Sequence, residues 1–120
     1  ITLTSEVHDI VVTVHLKLDK TRTLDIVAGS GAVTFSDAVG GSAALGNTTI
    51  GTAALDATAI KVQGTLAITN SGAGAITGII SNGSSAAIIT KAGAGTLTLS
   101  GDNTYTGATT VSAGVLAVYL

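Results

Sequence analysis

The sequence has no cysteine, proline, methionine or tryptophan, and only three aromatic residues, Phe35, Tyr105 and Tyr119, in 120. Each shortage excludes something. Without cysteine there is no disulfide framework and no thiolate metal site. Without proline, every backbone N–H stays available to a hydrogen-bonded ladder. Three rings cannot fill a thick core, in which each aromatic buries about 150–250 Å². A core of Ala, Val, Ile and Leu must therefore be thin. Nor can three rings supply the aromatic girdles of a transmembrane barrel. Charged residues make up 10%, with a net charge of −2. That leaves no basic footprint for nucleic acid. Yet 46% of the chain is hydrophobic, which argues against charge-driven disorder. No apolar run approaches the ~18 residues of a membrane helix. The opening "ITLTSEV" shows no signal-peptide pattern. The chain is therefore expected to be a piece of a longer polypeptide whose export signals lie elsewhere.

What is present is strand. "IVVTVHLKL" (10–18), "TLDIVA" (23–28), "AVTFS" (32–36), "AIKV" (59–62), "TLAIT" (65–69), "AITGII" (75–80), "AAIIT" (86–90), "TLTLS" (96–100) and "TTV" (109–111) are short and mostly β-branched. Most are bounded by Gly, Asn, Asp or Ser. Helix signals are weak. Gly40, Gly41, Gly46 and Gly51 interrupt the Ala-rich stretch, each costing a helix interior about 1 kcal/mol. Charge is crowded into the first 25 residues. That divides the chain into a more charged, β-rich segment, 1–30, and a Gly/Thr/Ala-rich segment, 31–120.

A motif Gly-x-Φ-x-Φ, with Φ apolar, recurs from Gly31, Gly64, Gly95 and Gly114. Alternation puts Val33 with Phe35, Leu66 with Ile68, Leu97 with Leu99, and Leu116 with Val118 on one face each. The spacings are 33, 31 and 19, and the near-equality of the first two suggests stacked coils. One coil cannot bury its apolar face alone. Stacked coils can, because each strand pairs with its equivalent about 4.8 Å away. The expected fold is all-β: a parallel β-helix, or β-solenoid, of about four to six coils.

"TKAGAGTLTLSGDNTYTGATTVSAGVLAV" (90–118) carries a longer signature. Lys91-x-Gly93-x-Gly95-Thr-Leu-Thr-Leu-Ser-Gly101 is followed by Asn103-Thr-Tyr-Thr-Gly107, and then by Thr109-Thr-Val-x-Ala-Gly114-x-Leu116-x-Val118. This resembles the autotransporter-associated β-strand repeat, or passenger-associated transport repeat. It departs at Ala108, where the family often has Gly, and at Val115, where it often has Thr. Residues 64–81 look like a worn copy, and 31–50 are similar to spacer repeats of large bacterial surface proteins. Residues 1–25 resemble nothing we can name. The resemblance implies a right-handed parallel β-helix in the secreted passenger of a Gram-negative type V protein. The implied work is that of a stalk supporting export, at the cell surface, with no catalytic residues to carry over.

The side chains offer little chemistry. His8, Asp9 and His15 have no Gly-x-Ser-x-Gly elbow to serve, and the two histidines read as surface or turn residues. Asp19, Lys20, Arg22 and Asp25 form the one dense charge cluster and suit solvated turns better than a polysaccharide-cleaving site. Asp37, Asp56 and Asp102 sit in expected turns, and no calcium-repeat motif or phosphate loop is present. Thr-x-Thr rows are too few for an ice-binding face. No catalytic, cofactor or metal residue is assigned. The expected partners are neighbouring coils or like subunits, through strand edges. The alternatives are an end-to-end fibre subunit and a fragment of a polysaccharide-acting enzyme.

Overall fold

The computed structural model describes residues 2–4, 10–12, 23–40 and 44–119. They form fourteen short strands and no helix. Numbered in chain order, the strands sort onto three faces. The first face holds β1 (Thr2–Thr4), β3 (Leu24–Val27), β5 (Thr48–Thr52), β8 (Thr65–Asn70), β11 (Ile88–Ala92) and β13 (Thr109–Val111), in that spatial order. The second holds β2 (Ile10–Val12), β4 (Ala32–Phe35), β6 (Ala54–Ala57), β9 (Gly74–Ile76), β12 (Thr96–Leu99) and β14 (Val115–Val118). The third is narrower. It pairs β7 (Ile60–Val62) with β10 (Ile80–Asn82). Single bridges from Val39 to Ile60 and from Leu45 to Val62 extend it by one turn. Every pairing is parallel. The chain visits the faces in order and returns one strand spacing along, giving a β-solenoid of about five turns.

Alternation decides what goes inside. β3 reads buried, exposed, buried, exposed, and β12 buries Leu97 and Leu99 while Thr96 faces out. Stacking turns these points into rows. Ile26, Ile50 and Ile68 stand in register on the first face. Val33, Leu55, Gly74, Leu97 and Leu116 do so on the second, and Ile60 with Ile80 on the third. Apart from Gly74 and the half-buried Leu116, these side chains are at most 4% exposed. Each buried Val, Leu or Ile contributes about 1.5–3 kcal/mol. Gly74 interrupts its row because a Cβ there would meet Leu97 Cδ1 at 3.1 Å and Leu55 Cβ at 3.4 Å. Its neighbours already fill the space. Outward, Thr34, Asp56, Ala75 and Thr98 form a row of small or polar side chains.

The sequence repeat needs correction. Gly31, Gly95 and Gly114 precede β4, β12 and β14 on the second face, whereas Gly64 precedes β8 on the first. The spacings of 33 and 31 therefore join different faces, and their agreement is coincidental. Only the spacing of 19 is a whole turn, with Val115 beside Thr96. Turn length varies: Leu66 lies 18 residues beyond its partner Thr48, and Asp25 lies 23 beyond Thr2. The earlier turn aligned with 89–101 is 66–78, since Ile89 lies beside Leu66 and Leu97 beside Gly74. Gly-x-Φ-x-Φ marks a strand after a corner, and every face has corners.

Two strand readings also change. "AITGII" is not one strand but the end of β9, a corner at 77–79 and the start of β10. Ile76 and Ile80 are buried on successive faces, while Ile79 between them is exposed. An apolar run can turn a corner without a polar break. β5 ("TTIGT") and β6 ("ALDA") carry weak strand signals, yet each is paired on both sides. Pairing with neighbours overrides local propensity. β1 was likewise absent from the sequence reading.

The rows make a simple prediction. Leu97→Ala should cost about 2–5 kcal/mol, and Thr98→Ala within about 0.5 kcal/mol, by chemical denaturation. Equal costs would contradict the assigned register.

Candidate functional site

Sequence candidates do not assemble into a reactive centre among the described residues. His8, Asp9, His15, Asp19, Lys20 and Arg22 lie outside them. Asp25 is exposed on β3, Asp56 on β6, Asp37 after β4 and Asp102 after β12. Among the described residues no three His, Cys, Asp or Glu side chains are grouped to hold a metal ion.

The concentrated polarity lies inside, at the corner between the first and second faces. Thr52, Asn70 and Lys91 are buried there. Thr52 and Asn70 are in register at the ends of β5 and β8. Thr52 Oγ1 lies 2.7 Å from Gly31 O, one turn earlier, and 2.8 Å from Ala54 O, so one proton serves two acceptors. Asn70 Nδ2 donates to Gly72 O at 2.7 Å and, one turn later, to Thr96 O at 3.1 Å. Lys91 Nζ donates to Ala92 O at 2.6 Å, Gly93 O at 3.0 Å and, in the following turn, Ala113 O at 3.4 Å. The same arrangement thus appears in three successive turns. A buried polar side chain meets a carbonyl of its own corner and one in an adjacent turn. Corner carbonyls fall between two strands, where no ladder partner reaches them. These side chains take the partner's place, which matters because an unsatisfied buried carbonyl costs about 1–3 kcal/mol.

Lys91 is the extreme member. It pairs with Ile68 in β8 and so occupies the inward row begun by Ile26, Ile50 and Ile68. Its aliphatic stem continues that row, and its ammonium ends among three carbonyls, matching its three protons. Burial pushes its pKa below the ordinary lysine value. Two glycines shape the pocket. Gly93 has φ of 81°, and a Cβ on it would meet Asn70 N at 2.9 Å. Gly114 has φ of 74°, and a Cβ on it would meet Lys91 Nζ at 2.8 Å. Left-handed φ and close approach both select glycine.

The next segment replaces a third-face strand. Asn103 Oδ1 accepts from Ile80 N at 2.9 Å. Thr104 N and Tyr105 N donate to Ile80 O at 3.0 and 3.1 Å. Asn82 Oδ1 accepts from Thr106 N at 3.1 Å, and Tyr105 Oη lies 2.8 Å from Thr109 Oγ1. Side chains here do the work of a ladder. The whole set, from Lys91 to Gly114, lies in one turn and the start of the next.

Residues 89–118 match the passenger-associated-transport-repeat. No curated protein and no solved structure matches the chain. The transport repeat covers a quarter of the 120 residues, from within β11 to the end of β14. Its signature residues can now be read physically. Lys91 supplies donors to corner carbonyls, Gly93 and Gly114 admit them, and Leu97 and Leu99 fill the core. Asn103 and Tyr105 bind the turn below. The residues that sequence reasoning missed as polar anchors are Thr52, Asn70 and the burial of Lys91. For Lys91 the signal was available: in "IITKA" it alternates with Ile89, so period 2 places it inward. An open cleft of about 590 Å³ lies between residues 101–105 of the transport repeat and Val118 and Tyr119.

Lys91→Met should cost about 1–3 kcal/mol, since the carbonyls lose their donors. Amide exchange should rise first in β13 and β14. The pH dependence has a definite sign. The unfolded chain binds the lysine proton more tightly than the folded chain does. Stability should therefore climb as pH rises from the folded pKa to the ordinary value of about 10.5, then level off. That slope should vanish in Lys91→Met. An unchanged slope and unchanged exchange would contradict the assigned role.

Proposed function

We propose that this chain is a structural β-solenoid segment of a secreted or surface-exposed bacterial passenger. It acts as a stalk that supports passenger export. The observation that carries this reading is the transport repeat itself, whose signature residues are committed to coil geometry. Such a segment adds length by adding turns and needs no reactive group. No catalytic role is proposed. The outward Thr, Ala and Gly rows give the stalk a hydrated surface with little charge.

Export is the testable part. The chain would be placed ahead of an outer-membrane translocator barrel in a Gram-negative host. Surface display would be read by protease accessibility on intact cells. Deleting residues 89–118, or replacing Leu97 by Asp, should lower display several-fold at equal expression. Thr98→Asp, on the outward row, should leave it close to wild type. Undiminished display with both damaging changes would contradict a role in export.

A further inference from the structure

The last turn ends in an open, uncharged edge. β13 is paired only with β11, and β14 only with β12. Val111, Val115 and Val118 are 45%, 55% and 50% exposed. Val118 stands in register with Leu99, which is 1% exposed. The exposed valine thus belongs to a row that is buried one turn below. Natural sheet edges are usually blunted by Lys, Pro or a bulge. After residue 102 no charged residue occurs, and the chain has no proline.

At the other end, among the described residues, β1 is paired only with β3, and β2 only with β4. The two ends carry the same two faces in the same parallel sense. A copy shifted along the axis would set its β1 beside β13 and its β2 beside β14. Every turn-to-turn pairing already in the molecule follows this scheme.

We propose that this edge is an interaction surface for a second copy of the chain, stacked head to tail. The interface is heterologous, so each added copy presents a fresh edge and assembly grows along the axis. The proposal rests on the solenoid fold and is independent of the export reading. A monomeric chain that still supports display would overturn the first and leave the second.

The registry supplies the test. Thr2, Asp25, Thr49, Ala67, Thr90 and Thr110 lie in one row across the first face. Head-to-tail stacking puts Thr2 of one copy one strand spacing from Thr110 of the next, within disulfide reach. The chain has no cysteine to interfere. Thr2→Cys and Thr110→Cys variants, both at exposed positions, would be oxidised with diamide, separately and mixed. The mixture should give a cross-linked dimer, and neither variant alone should give more than traces. Val118→Lys in the Thr110→Cys copy should cut the mixed yield about tenfold, with circular dichroism confirming retained β structure. Light scattering of the unmodified chain from about 1 μM to about 1 mM should show mass rising with concentration. A mass fixed at the monomer, no mixed disulfide, or an equal yield from Thr110→Cys alone would overturn the proposal.

Discussion

Everything in this molecule depends on one constraint: each turn must hydrogen-bond to the next over its length. Parallel pairing fixes the distance between turns at about 4.8 Å. Side chains on the inside must then stack upon their own equivalents. Large rings would not fit such rows, and the composition has almost none. Isoleucine, valine and leucine fit them, and so does the stem of a lysine.

Corners are where the constraint is hardest to meet. Between faces the backbone leaves the ladder, and its carbonyls lose their partners. Thr52, Asn70 and Lys91 answer this in three consecutive turns with a hydroxyl, an amide and an ammonium. The number of donors rises along the series from one to three. Gly93 and Gly114 make the last of these corners possible. Lysine and glycine in the transport repeat are thus parts of one device. Asn70 Oδ1 is the cost, buried without a partner.

The fold was legible to the extent that alternation and turn residues could speak locally. β3, β4, β7, β8 and β12 follow period 2 closely, and each was read within about one residue of its ends. β5 and β6 were not legible, because Gly51, Ala54 and Ala57 have little strand preference of their own. Their pairing is settled by neighbours far along the chain. The turn length was misread for a related reason. A motif that marks a strand after a corner cannot tell one face from another. Equivalence between Leu66 and Ile89, or Gly74 and Leu97, emerges only from the stacked register. The corner anchors were hidden because Thr, Asn and Lys are common surface residues, and only burial distinguishes these three.

The central claim is that residues 89–118 form a turn stacked in parallel register on the turn before and on the strand after. Cross-strand backbone NOEs in an isotope-labelled sample test it most directly. The account predicts inter-strand contacts from Leu97 to both Gly74 and Leu116, and from Ile89 to both Leu66 and Thr109, in the parallel pattern. Antiparallel contacts between β12 and β14, or a hairpin pattern joining β11 to β12, would contradict it.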